Sequence, residues 1–330
     1  MADLSTLEEA QAAIATGKPH LVAGDARLLT QLPKGPWIGG TTAYFMTQSG
    51  GCVDRDRLFL TPLAEPIQSV SVRSYSDGAL ANIPSFYPTH GCSFIVLPAG
   101  SRAHLLFARD CFAYPGLMNQ PLVGWNAGVH LDAVEESNPL VLDGTTGEYF
   151  ENRAVVMHAS LDPEYYAKVE IINPFARGNG DTITFPHSGF TISECLVNGE
   201  LCNFAEYLLR HSIDTRLPLV ADYAGALINV SFQGIDIQEK RVRLYAPVFA
   251  DVEYRLAVPT ESIDQLIRSE LKVRNAAPVF SCNCILNFLY AELEGKGTGI
   301  ATGPVTFGEL AYIQLNQTLV YLTFERDRNA

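Results

Sequence analysis

The sequence has no apolar run that approaches the roughly 20 residues a membrane-spanning helix requires. It is also poor in positive charge, because 23 Lys and Arg stand against 36 Asp and Glu and leave a net charge of −13. That balance disfavours nucleic acid and anionic membrane surfaces as partners. Glu8 and Glu9 stand where a secretory signal would have basic residues followed by an apolar core. We therefore expect a cytoplasmic protein without membrane insertion.

Several motifs of catalysis and metal binding are missing as well. The sequence has no phosphate-binding loop, no G-x-G-x-x-G spacing, no G-x-S-x-G elbow and no spaced pair of Cys-x-x-Cys motifs. Seven cysteines are an odd number at wide spacings, so free thiols are expected. They occupy positions 52, 92, 111, 195, 202, 282 and 284. These absences favour a protein that is not an enzyme.

The composition instead favours a large folded core with many strands. Hydrophobic residues make up 47% of the 330 positions and charged residues only 18%, which excludes a disordered chain. Turns are predicted at Asp143-Gly144 and Asn198-Gly199, without sustained alternation of strand and helix. We therefore predict an α+β fold with two lobes, each a largely antiparallel or mixed sheet flanked by helices. A boundary between about Asp162 and Lys168 gives domains 1–163 and 164–330.

Local patterns predict individual elements. A capping-box pattern at Ser5 and Glu8 predicts a first helix, and Asp25 predicts the start of a short second one. Runs of β-branched and apolar residues predict further strands, and apolar residues at helical spacing predict further helices. The predicted strand pairs are 140–142 with 154–159 and 181–185 with 191–196, and the predicted helices are 204–210 and 263–273.

Two stretches place small and polar residues where apolar strands end. In the first, a strand leads into Gly39-Gly40-Thr41-Thr42, whose glycines allow close backbone approach and whose hydroxyls can bind a ligand. The alternative is a Gly-Gly bend packed under a strand. In the second, a strand ending at Phe280 leads into Ser281-Cys282-Asn283-Cys284 at the start of a helix, where free N–H groups favour ligands. A Gly-rich link then leads to Gly308 and Glu309.

These stretches resemble the FIST family, named for F-box and intracellular signal transduction proteins. The resemblance is carried by 38–43 in the amino-terminal half, and by 280–283, 303–310 and 316–319 in the carboxy-terminal half. It implies two FIST-like domains with a sensory, small-ligand-binding function and no established catalysis. It also brings in haem, which some members of that family bind. Because the chain has no kinase, cyclase or chemoreceptor segment of its own, the resemblance implies a downstream signalling protein as its partner.

The chain departs from the family pattern after the cysteine stretch, where Ile285, Leu286 and Asn287 replace an expected basic residue. An anionic ligand expected by family analogy is therefore in doubt. Glu309 would be an expensive residue to bury without a partner, so a pocket around it would select an amine or a guanidinium. The alternative for Glu309 is a surface carboxylate at the start of a strand.

Cysteine and histidine chemistry leaves alternatives open. Cys282 and Cys284 could form half of a metal site, supply a nucleophile at a helix amino end, or pack as small thiols in the core. His158 lies in an apolar run and His187 in a turn, and neither is singled out as an axial haem ligand. We therefore expect no metal and assign no cofactor, with haem as the alternative.

Together these patterns predict one ligand site where the two stretches and Glu309 meet. The predicted residues are Gly39, Gly40, Thr41, Thr42, Ser281, Cys282, Asn283, Cys284, Gly308 and Glu309. The predicted ligand is an amino acid or a related amine. The alternatives are a Cys-dependent enzyme, and a structural or assembly protein without a ligand.

Overall fold

The computed structural model describes residues 3–223, 225–250, 252–258, 262–275 and 277–327. They divide into two compact units. The first unit contains the described residues up to Ile172, Asp264–Gln314, and those from Leu319 onward; the second contains Asn173–Ile263 and Leu315–Thr318. Strands outweigh helices, 44% against 20%, and the fold class is α+β as predicted. Within the described ranges, no helix has both the length and the apolar character needed to span a membrane.

The helices are short. The α-helices are α1 (Leu7–Ala15), α2 (Ala26–Leu29), α3 (Arg102–Asp110), α4 (Phe204–Arg210), α5 (Ile263–Val273) and α6 (Ile285–Tyr290). Turns of 3-10 helix cover Asp77–Phe86, Cys111–Ala113, Leu117–Asn119 and Leu131–Ala133.

The strands fall into three groups along the chain. The amino-terminal strands are β1 (Asp3–Ser5), β2 (His20–Gly24), β3 (Trp37–Thr41), β4 (Tyr44–Thr47), β5 (Gly50–Val53), β6 (Leu58–Pro62), β7 (Ile67–Ser76), β8 (Gly91–Pro98), β9 (Leu122–Ala127), β10 (Val141–Asp143), β11 (Glu148–Phe150), β12 (Arg153–Leu161) and β13 (Tyr165–Ile172). The middle strands are β14 (Ala176–Arg177), β15 (Ile183–Thr184), β16 (Gly189–Ile192), β17 (Glu194–Val197), β18 (Glu200–Asn203), β19 (Leu219–Tyr223), β20 (Ala226–Val230), β21 (Phe232–Asp236), β22 (Arg241–Val248) and β23 (Tyr254–Val258). The carboxy-terminal strands are β24 (Phe280–Cys284), β25 (Gly303–Thr306), β26 (Glu309–Ala311), β27 (Ile313–Leu315) and β28 (Leu319–Arg326).

Three six-stranded sheets build the first unit. Their strand orders are β1-β6-β2-β3-β10-β11 (first sheet), β27-β26-β9-β8-β12-β7 (second sheet) and β13-β28-β24-β25-β4-β5 (third sheet). Each sheet contains one parallel pair, and α2, α3 or α6 lies between the two paired strands in the chain. A parallel pair needs such a crossover, because the chain must return to the same end of the sheet. The predicted mixed sheets are confirmed, and the parallel pairing within three strand–helix–strand units is a feature that the sequence pattern did not indicate.

The second sheet has a different partner on each face. On one face, the Phe280 ring of β24 packs against Phe94 and Trp125, with ring centroids 5.9 and 5.7 Å apart. Gly40 of β3 meets the same face. Because side chains alternate along a strand, the next residues point the other way. That second face packs under α3 through an apolar cluster that includes Ile95, Leu97, Phe107, Leu122 and Leu310.

Two of the predicted helix starts depend on capping. Thr6, rather than Ser5, caps α1, since Thr6 Oγ1 accepts from Glu9 N at 3.3 Å and Glu9 Oε2 accepts from Thr6 N at 2.9 Å. The predicted capping box is therefore one residue too early, because both registers carry a hydroxyl followed three residues later by Glu. Asp25 caps α2 as predicted, with Oδ1 accepting from Arg27 N at 3.0 Å.

Of the two predicted strand pairs, one is wrong and the other is confirmed in part. β10 pairs with β11 and β3, whereas β12 pairs with β7 and β8, so residues 140–142 and 154–159 are not a hairpin. The predicted pairing of 181–185 with 191–196 is confirmed in part, because Thr184 of β15 lies opposite Leu196 of β17. The residues just before β17 form a separate strand, β16, which pairs with β22. The long run of β12 is buried along most of its length, and its partners are chosen by packing that no local pattern reveals.

The two units do not coincide with the predicted domains 1–163 and 164–330. β4 pairs with β25, and β9 pairs with β26, so strands from the carboxy-terminal part complete sheets begun in the amino-terminal part. A contiguous cut near residue 163 would divide these sheets. The second unit is instead an insertion between β13 and α5, with a seven-stranded and a three-stranded sheet around its own apolar core.

Candidate ligand-binding site

The predicted glycine stretch lies within strand β3 rather than in a turn. A Cβ atom added to Gly40 would lie 2.6 Å from Val96 Cγ1 and 3.0 Å from Trp125 Nε1, so glycine is required where the first and second sheets meet. A Cβ at Gly39 would lie 2.7 Å from the Val22 carbonyl oxygen. The space that these glycines leave is therefore occupied by protein, as in the bend-like alternative.

The two threonine hydroxyls are engaged in joining strands. Thr42 Oγ1 donates to the Val305 carbonyl at 2.7 Å and ties the end of β3 to β25. Thr41 Oγ1 accepts from Leu140 N at 2.9 Å. Both residues are buried. Their role in ligand binding stays a prediction, whereas their hydrogen bonds to neighbouring backbone segments give them a structural role.

The cysteine stretch 281–284 forms most of β24, and the helix begins only at Ile285. Cys282 Sγ donates to the Gly124 carbonyl at 3.4 Å. Burial, the charge of Glu309 and the nearby Cys284 raise the pKa of the Cys282 thiol well above its ordinary value. A thiol held in its protonated form is a poor nucleophile, and this disfavours Cys282 as the nucleophile of a Cys-dependent enzyme.

Ser281 and Asn283 point to the other face of the third sheet. Ser281 Oγ donates to the Thr302 carbonyl at 2.8 Å. Asn283 Oδ1 accepts from Asn287 Nδ2 of α6 at 3.1 Å. Because residues alternate along β24, these two side chains are separated from Cys282 by the sheet itself. The structure thus divides the predicted stretch between two environments.

Glu309 is fully buried, so the surface alternative for this carboxyl is wrong. Its Cα lies opposite that of Trp125 in the β26–β9 pair, which places both side chains on the same face of the second sheet. Thr306 Oγ1 lies 3.4 Å from Glu309 Oε1 and 3.2 Å from the Gly308 carbonyl. Gly308 has a φ of 142°, and a Cβ there would collide with the Gln314 and Asn126 amides.

Trp125, opposite Glu309 in the β26–β9 pair, has an open hydrogen-bond donor. Its Nε1 is buried and has no hydrogen-bond partner among the described residues. Four residues therefore form what we call the carboxyl–indole cluster: Trp125, Cys282, Thr306 and Glu309. Their exposed fractions are 1%, 2%, 0% and 0%.

The sequence reasoning thus found Cys282 and Glu309 but missed Trp125 and Thr306. Gly40 and Thr42 lie at the border of the cluster through their contacts with Trp125 and Val305. Trp125 lies in an apolar run, Leu122–Ala127, and nothing in that run indicates a polar role. The one signal in the sequence was that this run contains a Trp, because the indole N–H of a buried Trp usually has a hydrogen-bond partner.

The structure also shows the surroundings of the histidines and cysteines that were considered as haem or metal ligands. His158 is buried, with Nδ1 2.9 Å from Ser93 Oγ and Nε2 2.9 Å from Tyr75 OH, so both ring nitrogens are engaged. Burial, together with a smaller effect of the Arg73 charge, lowers the pKa of His158 to about 4. Across the described chain, no three metal-ligating side chains come together. All seven cysteines are free thiols.

Two surface depressions of the first unit contain none of the predicted site residues. One, of about 430 Å³, is lined by Pro84, Ser85, Tyr87, Thr89, Pro115, Gly116, Asn119 and Gln120. The other, of about 340 Å³, is lined by Arg268, Leu271, Lys272, Asn275, Gly299 and Ile300. Neither set of lining residues includes a carboxyl group, so the carboxyl–indole cluster is the better match for a cationic group.

The fold and the site together define an α+β protein with three strand–helix–strand units and a buried carboxyl at the meeting of its sheets. Residues 5–325 match a protein family described as a family of unknown function (DUF6976), and the chain belongs to that family. No curated protein matches the sequence.

Proposed function

We propose that this protein is a sensory, signal-transduction protein of the FIST type that binds a small amine-bearing molecule at the carboxyl–indole cluster. An amino acid is the preferred ligand. The observation that carries this proposal is the open Nε1–H of Trp125, opposite the fully buried Glu309 in the β26–β9 pair. Buried polar groups in proteins are almost always hydrogen-bonded. We therefore infer that the open Trp125 donor binds a group that is not part of the protein.

An amino acid has the two charges that this pair would select. Its ammonium group can donate charge-assisted hydrogen bonds to Glu309, and its carboxylate can accept from the Trp125 indole. A carboxyl group this far from water gains most from a cation placed directly beside it. The resemblance to FIST proteins supports the same class of function, because motif 303–310 contains Thr306 and Glu309 of the cluster and motif 38–43 borders it.

A ligand at this place would be enclosed. Because every member of the cluster is at most 2% exposed, entry and exit require part of the first unit to open. Enclosed ligands dissociate slowly, since the opening has to precede release. The proposed ligand is therefore expected to remain bound through purification. We place the protein in the cytoplasm, with a downstream signalling protein as the receiver of the signal.

The test begins with native mass spectrometry of the purified full chain, which should show a bound small molecule that is released on unfolding. The twenty amino acids and simple amines are then added to ligand-stripped protein, and thermal unfolding is measured. Glu309→Gln keeps the shape of the side chain but removes its charge. It should reduce ligand-induced stabilisation by about 1–3 kcal/mol and leave the unliganded melting temperature nearly unchanged.

Asp143→Asn is the matched control. Asp143 is also a buried carboxyl of the first unit, but its Oδ1 accepts from Thr145 N at 2.8 Å and serves a turn. This variant should lower the melting temperature and leave the ligand-induced shift as it is. The proposal fails if no bound molecule and no stabilising compound are found, or if stabilisation is the same in the wild type and in Glu309→Gln.

A further inference from the structure

We propose that Cys195 and Cys202 form an oxidation site, at which the two thiols become an intramolecular disulfide by exchange with a low-molecular-weight disulfide. The two residues lie directly opposite each other in the β17–β18 pair of the second unit. Their sulfur atoms are 3.6 Å apart. This inference is independent of the proposed ligand site, which lies in the first unit.

The backbone spacing already suits a disulfide. Opposite residues of an antiparallel pair have Cα atoms about 4.5 or 5.5 Å apart, and disulfides join Cα atoms about 4.4–6.8 Å apart. The sulfur atoms need to approach by only about 1.5 Å to reach bonding distance. Small side-chain rotations can supply that movement without a change in strand register.

The register of this hairpin is held in place by its turn. Asn198 and Gly199 have φ angles of 51° and 89°, which are the left-handed values of the two-residue turn that suits twisted strands. Asn198 Oδ1 also accepts from Thr182 N at 3.0 Å, and Asn198 Nδ2 donates to Asp181 Oδ1 at 2.7 Å. The opposed position of the two cysteines is therefore set by the hairpin.

The two thiols differ in access, and this sets the order of the steps. Cys202 is half-buried and can meet a soluble disulfide, whereas Cys195 is fully buried in the apolar core of the second unit. Cys202, as thiolate, attacks one sulfur of the disulfide RSSR, forms a mixed disulfide and releases one RSH. Cys195 then loses its proton and attacks Cys202 Sγ, which releases the second RSH. Two thiols are oxidised and RSSR is reduced to two RSH.

Oxidation would restrict the motion of the residues at the start of α4. Asn203 follows Cys202 directly and caps α4, with Oδ1 accepting from Glu206 N at 3.0 Å. A bond between Cys202 and Cys195 ties this cap to β17. Amide hydrogen exchange within residues 194–203 should accordingly become slower in the oxidised protein.

The experiment uses the full chain and oxidised glutathione as the probe. Thiols are trapped by alkylation in denaturant, and the protein is then cleaved after Glu194, Glu200 and Glu206. Fragments 195–200 and 201–206 each carry one of the two cysteines. They should be recovered as one linked species, two hydrogens lighter than the sum of the reduced fragments, and dithiothreitol should separate them.

Two variants distinguish this pair from general thiol oxidation. Cys52 is the other half-buried cysteine, and Cys52→Ser should leave the linked species intact. Cys202→Ser should abolish it, and Cys195→Ser should instead accumulate a glutathione adduct on Cys202. Recovery of wild-type fragments that are separately alkylated, or that carry glutathione on Cys202 without linkage, would overturn the proposal.

Discussion

In the second unit, Asn173 and Asn229 exchange side-chain hydrogen bonds of 2.9 Å in both directions, and Asn229 Nδ2 also donates to the Asn316 carbonyl at 3.1 Å. Ser231 Oγ donates to Gln317 Oε1 at 2.6 Å. The carboxyl–indole cluster of the first unit is as deeply buried, but it contains the open donor of Trp125. We call the network of Asn173, Asn229, Ser231 and Gln317 closed, because each of these side chains has a hydrogen-bond partner within the protein. A closed network holds chain segments together, whereas the carboxyl–indole cluster is open at Trp125 Nε1, where a ligand is proposed.

The largest expected effect comes from breaking the closed network. Asn229→Ala removes the hydrogen bonds that this side chain exchanges with Asn173 and donates to the Asn316 carbonyl, and it creates a cavity. It should lower the free energy of unfolding by about 4 kcal/mol. Chemical denaturation measures this loss. Gln233→Ala, at an exposed position of β21, should change stability by less than about 0.5 kcal/mol. Equal losses in the two variants would contradict a network that carries structure.

Acid should destabilise the protein through His158. The folded pKa is lowered to about 4 by burial, while an unfolded His titrates near 6.5, so the unfolded state binds the proton first. The stability conferred by neutral His158 is complete above about pH 6.5 and falls by roughly 3 kcal/mol as the pH drops to about 4. Chemical denaturation at several pH values should show a flatter stability profile over this range for His158→Gln than for the wild type.

A smaller effect is expected from Thr306→Val in the carboxyl–indole cluster. The substitution keeps the volume and removes the hydroxyl that lies near the Asn283 and Gly308 carbonyls and Glu309 Oε1. The Gly308 carbonyl keeps its bond from Asn126 N at 2.8 Å. We expect a loss of about 1–2 kcal/mol in unfolding free energy. A loss as large as that of Asn229→Ala would show that this cluster is closed and would remove the difference between the two regions.

The smallest effect should come from a half-buried polar group at a helix end. Asn203→Ala removes the cap of α4 and should reduce stability by about 1 kcal/mol. Asn203→Asp keeps the accepting oxygen and should recover most of this loss. If Asn203→Asp is as damaging as Asn203→Ala, the bond from Glu206 N is not what Asn203 contributes.

Local signals located the helices of the second half well. The predicted helices 204–210 and 263–273 match α4 and α5, because Asn203 caps the first and Ile267 and Leu271 recur on one face of the second. The Asn198-Gly199 turn is also confirmed as the link of β17 and β18. These signals need only neighbours within a few residues, so a sequence contains them.

The site was predicted less completely. Gly40, Cys282 and Glu309 each contact strand β9. The predicted turns are nevertheless largely strands, and the Ser281 and Asn283 side chains face away from β9. A ligand at this place stays a prediction. Residues 316–319 carry part of the family resemblance, but nothing in their pattern indicated that the Gln317 side chain and the Asn316 carbonyl bind Ser231 and Asn229 of the second unit. Alternating burial along a strand could have separated Cys282 from Asn283, but it could not have found Trp125.

The sequence by itself determined the helices and tight turns whose causes are local, namely capping residues, turn residues and apolar periodicity. Tertiary structure decided that β4 pairs with β25 and β9 with β26, partners more than half the chain apart. Those pairings bury Glu309 and place Trp125 opposite it. The physical reason is that strand pairing is selected by side-chain packing across the sheet, and that packing exists only once distant segments have met.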